Sequence, residues 1–317
     1  MPGHDSVNDV AKNEKAAPPY AERVERAVVD FFAAKTTGES AALLRIGFGV
    51  LAIWTSVGVW LNLDRYFAND GLVPWASVKD NAWMWVSAFS FAPEAHWMLV
   101  AHATAFTVAA ILFALGIFPR TMALVLGYVN LSLQARNPFI LNSGDRLFMI
   151  VAPLMAFLPL DRVWSVPALI RRMRGRPMPP LGTVFGLRLI QIELAYVYVA
   201  SFVAKAAGPR WRTGIALRDI LSSPVFAEWP HYWARFPLIA ALTYMTLLFE
   251  GTFPVLVWWK RFRPWMLLWG VLFHVGIDVL MIIPMFSWVM IVCYPAFLTD
   301  RETRWLVGWL PSRRARP

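Results

Sequence analysis

Long apolar runs alternate along the chain with short polar interruptions, and the runs are too long and too uniformly apolar for the surface helices of a soluble domain. Blocks of 15 to 24 residues with few charges inside predict helices that cross a bilayer. Eight spans are expected, at about 41–63, 97–118, 120–134, 146–160, 181–204, 236–257, 264–283 and 285–299. Five are long enough to cross outright. The third, fourth and eighth hold about 15 residues, or about 23 Å of helix against a hydrocarbon core of roughly 30 Å, and read as half-buried, tilted or re-entrant. Pro284 divides the last two spans, because an unbroken helix over 264–299 would run about 54 Å and the ring interrupts the helical ladder. The fold class this predicts is all-α, a polytopic helical membrane bundle of about eight spans.

The flanks and the charges extend the picture. Residues 1–40 are polar and of mixed charge, no secretory signal opens the chain, and the first span is therefore expected to stay as an anchor. The expected organisation is a cytoplasmic segment over 1–40, a transmembrane domain over 41–300 and a basic cytoplasmic tail over 301–317. The composition agrees: 58% of residues are hydrophobic and 16% charged, where soluble domains hold roughly 45–50% and about 25%. Cys293 is the only cysteine, which excludes an intrachain disulfide. The net charge of +10 does not point to nucleic acid, because the basic residues cluster at the ends of apolar runs instead of forming one stripe. With the amino terminus inside, nineteen Lys and Arg fall in inner segments and eight in outer ones, which predicts an integral protein of a bacterial inner membrane with both termini cytoplasmic. The Arg171–Arg176 cluster, followed by Pro177, Pro179 and Pro180, reads as a lipid-anchoring inner loop. Two outer connections are long: 64–96 carries a turn signal at Asp70-Gly71, and 206–235, with Trp211, Trp229 and Trp233, predicts interfacial helices capping the bundle.

Ionisable groups inside spans are costly and mark function or helix-to-helix pairing. In the fifth span Gln191, Tyr198 and Lys205 recur every seven residues, which turns through about 700° and returns them to one face. Lys205 ends that face near the outer surface, either as a snorkelling anchor or as a partly buried base. Glu193, on another face, is expected to pair with an arginine of a neighbouring helix. In the seventh span His274 and Asp278 stand four residues apart, a spacing that suits a hydrogen-bonded pair acting as structural link or proton relay. No second ligand cluster accompanies them, so no metal site is expected. Glu250 in the sixth span reads as lying nearer the inner side, neutral or paired with Arg188 or Arg45. Asp145-Arg146 opens the fourth span as a cap, an ion pair or a substrate contact. Motifs of phosphate-loop ATPases, serine hydrolases and zinc proteases are missing.

One ordered set of short motifs carries a resemblance. Tyr198-Val199-Ala200-Ser201-Phe202-Val203-Ala204-Lys205, Trp211 and Gly214, Leu248-Phe249-Glu250, Phe273-His274 and Met285-Phe286-Ser287-Trp288-Val289-Met290 follow Leu44-Arg45-Ile46-Gly47-Phe48-Gly49 and Gly71-Leu72-Val73-Pro74. In order and spacing they resemble the HTTM (horizontally transferred transmembrane) domain, the membrane region of vitamin K-dependent gamma-carboxylase and its bacterial relatives, over about residues 40 to 300. The resemblance implies that Lys205 matches the lysine that deprotonates reduced vitamin K, and that Phe273-His274 and Met285-Phe286-Ser287 match family motifs. The carboxylase's histidine near the region of Asn142 to Asp145 has no counterpart here, nor has its large luminal carboxyl-terminal domain.

Two functions are therefore expected to compete. In one, an outward-opening cavity between the fifth, seventh and eighth spans binds a membrane-soluble substrate such as a reduced quinone. Lys205, His274 and Asp278 would be its catalytic residues, and Tyr198, Trp211, Gly214 and Phe286 its binding residues. In the other, a non-catalytic accessory or maturation factor holds a lipid, a quinone or a secreted client. The charge bias makes the topology testable: a reporter active only in the periplasm is expected to be silent when fused after Pro317 and active when inserted near Asp80. Activity at the carboxyl terminus would make the span count wrong.

Overall fold

The structure, a computed structural model, describes residues 20–81, 83–92, 95–227, 232, 235 and 237–308. The expected all-α class is observed. Among the described residues five helices are long and apolar enough to cross a membrane: α2 (Glu39–Leu61), α4 (His96–Leu115), α8 (Phe185–Ala207), α11 (Ile239–Leu256) and α12 (Arg263–Leu280). The other expected spans correspond to α5 (Pro119–Arg136), α6 (Ser143–Met155) and α13 (Phe286–Cys293), the last running into a 3₁₀ turn over Tyr294–Phe297. Val50, Trp54, Val57 and Leu61 of α2 and Leu268, Leu272, Val275 and Val279 of α12 lie exposed along their helices. Apolar surface on that scale is what lipid would cover.

Helices α2, α4, α5 and α6 pack in series, each on the next, around Phe48, Phe106, Phe113 and Phe148. Gly49 lets α2 approach α4 closely: a Cβ there would stand 2.7 Å from Ala114 Cα. Helix α8 packs on α11, and α13 joins the two groups by touching α2, α6 and α12. Pro284 does break the chain, as expected, and Met285 turns it at a φ of 67° before α13. Over 64–96 the chain makes α3 (Leu63–Phe67) and three single 3₁₀ turns, with Gly71 and Leu72 closing the Asp70-Gly71 turn onto Ala68 and Arg65. Two short helices, α9 (Pro209–Arg212) and α10 (Ala216–Leu221), lie over α8 and α11 as the expected cap. Trp229 and Trp233 of the same connection lie outside the described residues.

The opposite end holds elements that apolar runs did not announce. Residues 20–33 form an amphipathic helix, α1 (Tyr20–Ala33), and Lys35–Thr36 pairs antiparallel with Gly182–Thr183 as a two-residue ladder, β1 with β2. The arginine cluster continues a short helix, α7 (Val166–Met173). A last helix, α14 (Asp300–Gly308), is tied to the start of α2: the Asp300 carboxylate accepts from Thr36 Oγ1 at 2.7 Å and from the amide of Thr37 at 2.8 Å. Burial alone would raise the Asp300 pKa, but these bonds and one from the Ser40 amide outweigh it and hold the carboxyl below its ordinary value. Its stabilisation is therefore complete above the unfolded carboxylate pKa near 4 and is lost as pH falls through the lower folded value. Asp300→Ala is expected to cost about 1–3 kcal/mol at pH 7. In thermal denaturation in detergent, the gap from wild type should shrink as the pH is taken below the ordinary carboxylate value near 4.

Candidate functional site

A cavity of about 460 Å³ opens between α8, α11 and α12 under the α9–α10 cap. The expectation placed it between the fifth, seventh and eighth spans. The sixth, α11, is in fact a full wall, while the eighth contributes only Phe286. Its lining is mostly aliphatic and aromatic, with a few polar groups gathered at one side.

Lys205 stands in the last turn of α8, and its Nζ donates to Glu250 Oε1 on α11 and to Ser201 Oγ at 2.9 Å. Ser201 Oγ in turn donates to the same Glu250 oxygen at 3.0 Å. The three residues form a closed triangle across two helices. The ammonium also lies 5.1 Å from the centroid of the Trp211 ring, which lids it from α9. Glu250 is thus not paired with Arg188 or Arg45 near the inner side. Those arginines are engaged elsewhere, Arg45 with the carbonyls of Leu160 and Trp164, Arg188 with Phe31 O and Gln191. The Lys205 side chain is 26% exposed and that of Glu250 is 4% exposed, so the lysine presents the pair to the cavity and the carboxylate backs it.

Below the triangle sits an aromatic floor. Tyr198 Oη bonds His274 Nε2 at 2.8 Å and Tyr294 Oη at 2.6 Å, and its ring packs 4.4 Å from Phe253 and 5.3 Å from Phe249. Phe286 packs on His274 at 5.4 Å. Gly214 does not line the cavity. It turns the chain between α9 and α10 at a φ of 76°, with the Tyr244 ring against it, which is a place where a side chain would be strained.

His274 and Asp278 are not brought together. His274 is wholly buried with its Nε2 on Tyr198, whereas Asp278 is exposed and faces a separate cavity beside Asn142 and Asp145. Among the described residues Asp278 makes no hydrogen bond or ion pair. Four residues advance a helix by about 400°, so the two positions diverge by about 40°, and the nearer partner across the interface takes the imidazole. Glu193 likewise has no arginine partner among the described residues; it is half-buried and unpaired. Gln191, the inner member of the predicted stripe, donates to Ala296 O at 2.6 Å and serves packing of α8 on the 3₁₀ turn. Asp145 is a cap: it accepts from Asn142 N and Nδ2 while Asn142 Oδ1 accepts from Gly144 and Asp145 amides. Sequence reasoning did not assign a role to Ser201 or Tyr294. Ser201 was findable, one turn before Lys205; Tyr294 had no signal, since it reaches the site only through the bend at Pro284.

Among the described residues no group of three or more His, Cys, Asp and Glu side chains is placed to hold a metal ion. The separation of His274 from Asp278 is open to a double-mutant cycle. In thermal stability, Asp278→Asn and His274→Ala should combine additively, with a coupling below about 0.5 kcal/mol, whereas a hydrogen-bonded pair would show more.

No curated protein and no solved structure matches the chain. The profile of the HTTM domain matches residues 34–302, nearly the whole length, and takes in every helix that builds the cavity. With five apolar helices of spanning length and that match, the chain is an integral membrane protein belonging to the HTTM domain family.

Proposed function

We propose that the cavity binds a hydrophobic small molecule drawn from the bilayer, of the reduced-quinone type, and that Lys205 accepts a proton from its hydroxyl group. The observation that carries this reading is the Lys205–Ser201–Glu250 triangle at the wall of an otherwise apolar cavity. In a site poor in water an ion pair is costly, and transfer of one proton from Lys205 to Glu250 gives a neutral amine beside a neutral carboxylic acid. The amine then takes the proton of the substrate hydroxyl, and the ammonium so formed is the counter-charge of the substrate oxyanion. Trp211 covers the nitrogen from the outer side, and the rings of Phe273 and Phe286 in the cavity wall offer faces for stacking. Among the described residues Glu250 Oε2 and His274 Nδ1 have no hydrogen-bond partner, which leaves two polar atoms at this end of the cavity with hydrogen-bonding capacity unused. The resemblance of the motifs around Lys205 to the gamma-carboxylase supports this reading, in which the proposed step is deprotonation of the quinol hydroxyl. The proposed setting is a bacterial inner membrane with both termini cytoplasmic, the three shorter helices α5, α6 and α13 completing eight spans.

A second reading is favoured by the same ion pair: Lys205 serves only as counter-ion to Glu250, and the cavity holds a lipid, quinone or client segment without chemistry. Lys205→Arg separates the two. Arginine keeps the charge and the contact with Glu250 but cannot become neutral, its pKa being above about 12. Quinol turnover, followed chromatographically with the protein in nanodiscs, is expected to fall by at least roughly 10²-fold with quinol binding and melting temperature retained. Gly276→Leu supplies the companion test, since a Cβ at Gly276 meets nothing within 4 Å and its side chain would enter the cavity. This variant should lose quinol binding and turnover together. Wild-type turnover in Lys205→Arg would overturn Lys205 as the base, and quinol binding without turnover in the wild-type protein would favour the accessory reading.

A further inference from the structure

A second, smaller cavity of about 270 Å³ lies at the other end of the bundle, where β1, the first turn of α8, the end of α11 and the start of α12 converge on the turn before α14. Four cationic side chains line it: Lys35, Arg188, Lys260 and Arg263. Their donors are only partly used. Among the described residues Arg188 spends Nε on Phe31 O at 3.0 Å and Nη1 on Gln191 Oε1 at 2.8 Å, which leaves Nη2 open. Among the same residues Arg263 gives Nη1 to Glu302 at 3.3 Å and Nε to Val257 O at 3.4 Å and likewise keeps Nη2. Among the described residues Lys35 and Lys260 have no hydrogen bond or ion pair. The one carboxylate in the lining, Asp300, is turned to Thr36 Oγ1 and the amides of Thr37 and Ser40, so it clamps the start of α2 and does not answer the cations. Arg188 and Arg263 act on each other as like charges across the space. Trp258 and Phe297 supply an apolar wall beside them.

We propose that this cavity is a binding site for an anionic phosphate group, held by Lys35, Arg188, Lys260 and Arg263. Four cations from separate elements, with N–H groups to spare and lining one space of about 270 Å³, supply the charge and the donors that phosphate oxygens require. The position favours a lipid as the carrier: the site opens at the end of the bundle that bears the excess of basic residues, and Trp258 and Phe297 adjoin it as glycerol or acyl carbons would demand. A bound phosphate would cross-link the first turn of α8 to α12 and to β1.

The test uses the full chain, delipidated in detergent, with melting temperature and native mass spectrometry as readouts. Three probes are titrated: short-chain phosphatidylglycerol, short-chain phosphatidylcholine, whose phosphodiester is masked by its own ammonium, and inorganic phosphate. Wild type is expected to retain one phosphatidylglycerol and to melt at higher temperature as it binds, with phosphatidylcholine much weaker. Lys35→Ala/Lys260→Ala removes two exposed, unpartnered side chains, which leaves the fold intact, and should weaken binding by roughly thirtyfold. Arg172→Ala/Arg174→Ala, on the exposed arginine cluster, should change it less than about twofold. A saturable shift with inorganic phosphate would make the free anion the carrier, and a shift with phosphatidylglycerol alone would make it the lipid. The proposal fails if phosphatidylcholine binds as well as phosphatidylglycerol, if neither anion binds, or if the two double variants weaken binding equally.

Discussion

A hydrocarbon surrounding leaves no water for irregular backbone, and the carbonyls of turns and loops at the rim of this bundle must therefore find donors within the protein. Long side chains reaching in from helices supply them. Arg45, wholly buried in α2, donates to Leu160 O and Trp164 O; Arg136, wholly buried at the end of α5, donates to Val73 O and Ala68 O. Gln191 of α8 does the same for Ala296, and Asn81, Asn137 and Arg162, from the connections themselves, donate to the carbonyls of Ala135, Tyr66 and Thr37. An unpaired buried carbonyl costs about 1–3 kcal/mol, so each such contact fixes a connection against its neighbour in one register. The cap over the cavity and the clamp at the start of α2 both hang on a frame made rigid in this way.

The same constraint shapes the candidate site. A lysine and a glutamate on facing helices are tolerated in an apolar wall because each is the other's partner and Ser201 is bonded to both. Everything else near them is aromatic. Phe249, Phe253 and Tyr198 pack edge-on and tilted at 4.4 to 5.5 Å, which holds α8 and α11 at a fixed separation and keeps the ion pair from spreading into solvent. The chemistry the pair can perform and the packing it needs are thus the same arrangement.

Much of this was legible in the chain. Apolar run length located the five long helices and the break at Pro284, because both depend on local properties of the sequence. Lys205 and Tyr198 were placed on one face correctly, since a seven-residue spacing is nearly two helical turns. The partners were not legible. Which residue faces Lys205 depends on the rotation of α11 about its own axis, and nothing local distinguishes Glu250 as partner of Lys205 from Glu250 as partner of an arginine. The His274–Asp278 pairing failed for the same reason: helical spacing states which residues share a stripe, while the tertiary interface decides that Tyr198 takes the imidazole. Helix α1 and the β1–β2 ladder escaped because polar segments carry no apolar run to announce them.

The stripe on α8 joins the two cavities physically. From Arg188 to Lys205 is seventeen residues, about 25 Å of helix, and the side chains along it are secured at intervals: Arg188 and Gln191 at the basic end, Tyr198 midway, Lys205 at the lidded end. Each link reaches a different neighbour, the 3₁₀ turn, then α12, then α11. A helix secured at three heights is held in one register against all three neighbours. Periodicity alone reads the stripe as a row of functional groups. The structure makes its inner members the fastening and its last member the group presented to the cavity, which is why polar residues at identical spacing on one helix carry different roles.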